Sequence, residues 1–162
     1  MDKLKKVDHG AMVANQIVII VLTILAFVLD RAWLAGFVAV VMALGTLVGR
    51  PGFLPVYTLV FKPLGLVKPH VLLDNPEPHR FAQGFGAVVL GAGSALLLGG
   101  LAVAGWSLVW LVVALAALNA FAGFCAGCFM YYWLTRFKVP GFSKTPPEGT
   151  FPGMRPRGVV AP

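Results

Sequence analysis

Charged residues in this chain are confined to short stretches, and between them run long apolar segments. Crossing the hydrocarbon core of a bilayer as a helix takes about 20 apolar residues, and four segments meet or nearly meet that length. The first runs from Ala11 to Leu29 and stops at Asp30-Arg31; the second runs from Ala32 to Val48 and stops at Gly49-Arg50-Pro51. Between Arg80 and Arg136 stand 55 consecutive residues without Asp, Glu, Lys or Arg, too many for one span and right for two joined by a tight turn near Gly105-Trp106. The predicted helices are therefore 11–29, 32–48, 81–104 and 106–134. The first apolar run is long, lacks an Ala-x-Ala-like site and is followed at once by another span, so it is expected to persist rather than be cleaved as a signal peptide.

Composition agrees with this pattern. The chain has 162 residues, 59% hydrophobic and 12% charged, with a mean hydropathy of +0.86, far beyond the apolar share of soluble domains. The expected fold is all-α, an integral membrane four-helix bundle over residues 1–137, followed by a Pro/Gly-rich tail over 138–162. The segment from Pro51 to Arg80 holds six prolines, so no long helix can run through it, but Leu54 to Phe61 is apolar and aromatic and is expected to lie in the interface as a short helix or shallow re-entrant piece. The tail, rich in proline and glycine from Pro140 to Pro162, is expected to be extended or disordered.

Charge sets the expected orientation. Lys3, Lys5 and Lys6 precede the first helix; Arg50, Lys62, Lys68 and Arg80 lie between the second and third; Arg136, Lys138, Lys144, Arg155 and Arg157 follow the fourth. Basic flanks favour the cytoplasmic side, which puts both termini and the proline-rich loop there, as in a multi-pass plasma-membrane protein. The formal charge of +7 is spread over these flanks rather than gathered into one patch with interleaved aromatics. Contact with anionic headgroups of the lipid bilayer explains it better than nucleic acid, and no nucleic-acid partner is expected.

Candidate chemistry is concentrated in Gly123-Phe124-Cys125-Ala126-Gly127-Cys128, which holds the only two cysteines of the chain. A Cys-x-x-Cys pair can cycle between dithiol and disulfide, hold sulfane sulfur or bind a soft metal. Read as part of one continuous fourth helix, the cysteines lie 11 and 8 residues before Arg136, roughly 16 and 12 Å below the cytoplasmic interface at about 1.5 Å per residue. There a permanent structural disulfide is not expected, because the cytosol is reducing. Positions three and four apart share a helix face, so Cys125, Cys128 and Tyr132 should project together. Desolvation disfavours a thiolate in hydrocarbon, so reactivity needs a nearby cation or donor, and Arg80 or His79 at the start of the third helix is the expected supplier, either as thiolate stabiliser or as anion site. Of the two cysteines, Cys128 is expected to attack, being nearer the cytosol. A metal site built from both thiolates with His79 or Asp74 is a further reading, though no metal or cofactor is assigned. The bland alternative is that the cysteines only pack, as small apolar residues do.

Small residues at Ala87, Gly91, Ala95 and Gly99, matched by Gly123 and Gly127, are expected to bring the third and fourth helices together near the cysteines. Asn15 and Gln16 should hydrogen-bond across the bundle or line a polar pocket, and Asn119 should act as packing glue.

Asp74, Pro78 and Arg80-Phe81-Ala82-Gln83 before a Gly-rich helix, followed by Gly123-Phe124-Cys125-Ala126-Gly127-Cys128 and the pair Tyr131-Tyr132, resemble the bacterial membrane family catalogued as domain of unknown function 4395. The likeness covers Val13 to Leu134. It implies thiol or sulfur chemistry with a thioredoxin-like or rhodanese-like cytoplasmic partner. The function expected is thus a membrane thiol-redox or sulfur-relay protein. The alternatives are a transport component for a small sulfur-containing or anionic solute, which would need a homo-oligomer, and a non-catalytic structural subunit.

Overall fold

The computed structural model describes residues 4–156; the expectations placed on Lys3, Arg157, Gly158 and Pro162 fall outside the described residues. A short strand β1 (Lys5–Asp8) leads into helix α1 (His9–Val28), which turns through a left-handed Asp30 into α2 (Ala32–Val48). Asp8 stops the strand and starts the helix, because its Oδ1 accepts from the amides of Gly10 (2.9 Å) and Ala11 (3.4 Å). The loop after α2 holds the single turn α3 (Leu54–Val56), continued by a wide turn over Tyr57–Phe61 in which Lys62 N donates to Tyr57 O at 2.9 Å. Strand β2 (Val71–Asp74) then pairs antiparallel with β1, Lys5 opposite Asp74 and Asp8 opposite Val71.

Helix α4 (Pro76–Leu98) begins five residues before the predicted start. Two of the six prolines read as excluding helix, Pro76 and Pro78, sit in its first turn, where a backbone N–H has no intrahelical partner and proline is favoured. The connection to α5 (Ala102–Ala122) falls at Gly99-Gly100-Leu101, with Gly100 at φ 81°, rather than at Gly105-Trp106. Trp106 instead packs edge-on to Phe27 of α1, and Gly105 is the closest point of α5 to Gly93 of α4: a Cβ on Gly93 would lie 3.1 Å from Gly105 O.

The expected continuous fourth helix is corrected. It stops at Ala122, because Gly123 takes the left-handed conformation (φ 68°), and a separate helix α6 (Ala126–Arg136) begins three residues later with Cys125 as its N-cap. Helix α6 packs on the first half of α4. Gly127 allows the approach, since a Cβ there would lie 2.5 Å from Ala82 Cβ.

Over its described part the tail lies against the bundle. Phe142 packs on Phe81 and Tyr131, Phe151 stacks on Phe129, and Met154 forms an antiparallel bridge with Phe124. Aromatic anchors and left-handed glycines at 141, 149 and 153 let a proline-rich segment lie down as a strap, although its composition supports no core of its own.

Helices α1, α4 and α5 are each long and apolar enough to cross a membrane, and α2 is apolar at 17 residues. Their shared core is built from Ile19, Ala26, Ala35, Val38, Met42, Leu90, Val109 and Val112. Leu47, Val88 and Val103 stay exposed, an arrangement suited to lipid rather than water. The two strands, the 49–75 loop, α6 and the strap all gather at one end of the bundle, which is where the polar chemistry lies.

Candidate functional site

Each side of the site comes from a different element. Cys125 and Cys128 lie across the first turn of α6 and are joined as a disulfide, with Cα atoms 5.2 Å apart. Because Cys125 is the N-cap and not a mid-helix residue, its side chain is free to turn toward Cys128, which a regular helix hinders. The Cys128 amide donates to Cys125 Sγ at 3.2 Å. Both cysteines are buried with Tyr131 and Tyr132, and Phe81, Ala82 and Phe142 pack around them. The expected grouping of Cys125, Cys128 and Tyr132 therefore holds in space, although Cys125 is not on a helix face.

His79, in the first turn of α4, meets this pair. Its Nδ1 stands 3.3 Å from Cys128 Sγ, and its Nε2 stands 2.9 Å from Asp74 Oδ2. An ionised carboxylate only accepts, so Nε2 carries the proton donated to Asp74 and Nδ1 turns its lone pair toward sulfur in the neutral ring. Asp74 ends β2 and is buried. Its Oδ1 accepts from the Asn75 amide at 2.7 Å, and His9 Nε2 approaches Oδ2 at 3.1 Å without hydrogen-bond alignment. Burial alone would push the Asp74 carboxyl up, but the close approach of His79 and His9 and the Asn75 amide hold it well below the usual carboxylate range. Burial pushes the Tyr132 phenol up to about 12, against an opposing pull from Asn75.

Arg80 turns its guanidinium to α2, Nε donating to Thr46 O at 2.6 Å and Nη2 to Leu47 O at 3.3 Å, so it caps the bare carbonyls at the end of that helix, and it also lines the cavity that opens beside Cys125. Gln83 supports the same turn through Met42 O and Arg50 O.

Two contributors were not among the predicted residues. His9 reaches the site because β1–β2 pairing delivers the start of α1 to Asp74; nothing in the local sequence distinguishes it from an interfacial histidine. The strap is the other. Gly153 O accepts from the Cys125 amide at 2.7 Å, Arg155 N donates to Gly123 O at 2.9 Å, and Asn75 Nδ2 donates to Thr145 O at 2.8 Å.

A cavity of about 330 Å³ opens beside Cys125. Its depth is apolar, with Ile19, Met42, Val89 and Val112, and its other walls carry Asn15, Gln16, Gln83, Asn119 and His79. Asn15 is held by the Phe53 amide, which donates to its Oδ1 at 2.9 Å. The polar pocket expected of Asn15 and Gln16 is therefore present, and Asn119, read as packing glue, shares it.

The arrangement can polarise one sulfur while exposing the other: His79 and Asp74 stand behind Cys128, and the cavity stands in front of Cys125. A family model described as Domain of unknown function (DUF4395) matches residues 7–136. The chain matches no curated protein and no solved structure.

Proposed function

The chain belongs to the family described as Domain of unknown function (DUF4395), and from that premise we propose that it is a membrane thiol-redox or sulfur-relay protein working through Cys125 and Cys128. The observation that carries the reading is the Asp74–His79–Cys128 line, 2.9 Å and 3.3 Å at its two contacts. A histidine oriented by a buried carboxylate and aimed at a sulfur is the arrangement that activates a thiol.

In the proposed exchange a thiolate from the partner attacks Cys125 Sγ from the cavity side. The Cys125–Cys128 bond breaks, and Cys128 leaves with the bonding electron pair beside His79. A second thiol then cleaves the mixed disulfide, so two thiols become one disulfide and the pair becomes a dithiol. In the reverse direction His79 Nδ1 accepts the Cys128 proton, and the thiolate so formed resolves a mixed disulfide held on Cys125. This assigns exchange to Cys125 and resolution to Cys128, opposite to the order suggested by depth along a continuous helix. Tyr132 closes the site laterally, and Arg80 caps α2 at the cavity wall.

The basic flanks support placing both termini and the site on the cytoplasmic side of a bacterial plasma membrane, with α2 as the fourth span. A thioredoxin-like or rhodanese-like protein fits as partner there. The cavity beside Cys125 favours a second reading, passage of a small sulfur-containing or anionic solute, with the cysteines as relay. The test is acid-quenched alkylation in native membranes with mass spectrometry of the Cys125–Cys128 peptide. A disulfide or persulfide fraction that responds to oxidant, thiosulfate or thioredoxin supply is expected; cysteines in one unchanging state under every condition would overturn the relay.

A further inference from the structure

We propose that the reduced cysteine pair and His79 together form a zinc site of three protein ligands with its fourth position open to the cavity. The donor atoms Cys125 Sγ, Cys128 Sγ and His79 Nδ1 all lie within 4.8 Å of one another. In a tetrahedral zinc site with Zn–S about 2.3 Å and Zn–N about 2.0 Å, donors stand roughly 3.5–4 Å apart, so these three need only small shifts once the sulfur–sulfur bond is open.

Three features favour the metal beyond proximity. The Nδ1 of His79 is free to coordinate because Nε2 is occupied by Asp74, the carboxylate–histidine support that fixes ring and tautomer at zinc centres. The Cys128 amide already points at Cys125 Sγ, 3.2 Å away, and would offset charge on that thiolate. Cys125 and His79 line the cavity, so a ligand from outside has a route to the open position. Three protein ligands with an open fourth position are the pattern of reactive rather than closed structural zinc.

Binding releases two thiol protons and forms two Zn–S bonds and one Zn–N bond, with no change of oxidation state. Disulfide and zinc forms exclude each other, so the metal would hold the pair reduced and exchange would require its release. The proposal rests on the thiol-exchange reading only in that the pair must be reducible.

The experiment uses the full chain in nanodiscs, reduced with a phosphine, counted for free thiols and titrated with Zn²⁺ against a chromophoric chelator. Co²⁺ serves as a spectroscopic stand-in. One Zn²⁺ per chain is expected in the reduced protein and none in the oxidised, with thiolate-to-cobalt charge-transfer bands. Cys125→Ser should lose the site. Asp74→Asn, with both thiols still titratable, should weaken it about 10–100-fold. Two free thiols without zinc binding, or binding unchanged in His79→Gln, would overturn the zinc site and leave thiol exchange standing. A pair that no phosphine opens would overturn both.

Discussion

His79 Nδ1 lies 3.3 Å from Cys128 Sγ although 49 positions separate the two residues in the chain. That contact joins the start of α4 to the start of α6, and it is the path by which His79 is proposed to take the Cys128 proton. His79→Gln should slow opening of mixed disulfides by about 100-fold, the low end of what a positioned acid–base group contributes. Stopped-flow exchange with a fluorescent dithiol reads this, and an unchanged rate would remove His79 from the mechanism.

The strap holds the Cys125 amide through Gly153 O and adds Phe142 and Phe151 to the aromatic cover. Truncation after residue 139 should therefore speed alkylation of the reduced cysteines by a hydrophilic maleimide, leaving the membrane helices in place. Equal labelling rates in the truncated and full chains would show that the strap does not limit access.

Gly127 has no room for a side chain, since even a methyl would meet Ala82 Cβ at 2.5 Å. Gly127→Ala should push α6 off α4 and cost about 1–3 kcal/mol, the usual penalty for overpacking. Thermal unfolding in detergent measures it, and the paired change Ala82→Gly should recover part of the loss.

Arg80→Gln removes a cap from the last carbonyls of α2 and nothing from the sulfurs. Its expected cost is about 1 kcal/mol, as for an exposed charged hydrogen bond. Exchange with an uncharged thiol should run at the wild-type rate; a large loss of rate at unchanged stability would return Arg80 to the site.

Tyr132 gives the pH dependence its sign. Its folded-state pKa is raised from 10.0 to about 12, so its contribution to stability is fully present below pH 10 and is lost as pH rises through 12. Tyr132→Phe should flatten the alkaline arm of the stability curve between those values, and an identical arm in both proteins would assign alkaline unfolding elsewhere.

The apolar helices were legible because charge bounds them: α2 falls inside the uncharged run between Arg31 and Arg50. The errors lie where one residue's backbone outweighs the hydrophobic run. Gly123 ends α5 inside an apolar stretch, and Pro76 starts α4 where proline had been read as a breaker. At the site, Cys125, Cys128, Tyr132 and His79 could be grouped because they are near in sequence or lie at matching depth. Arg80 lies at the wall of the same cavity, with its guanidinium held by the free carbonyls on α2, which the sequence did not signal. His9 was illegible, because its place depends on a two-strand pairing between segments more than sixty residues apart.

Asp74 sits between His9 and His79, and the Cys125 amide donates a hydrogen bond to a segment that follows the last helix. A chain emerging from the ribosome delivers these groups in the order 9, 74–79, 125–128 and 153, with the apolar helices inserted between them. During biogenesis the cysteines therefore lack their histidine, carboxylate and cover until the helices have been threaded and the chain has folded back on itself. A partly inserted intermediate carries two ordinary thiols, so reactivity at this pair doubles as a marker of completed assembly.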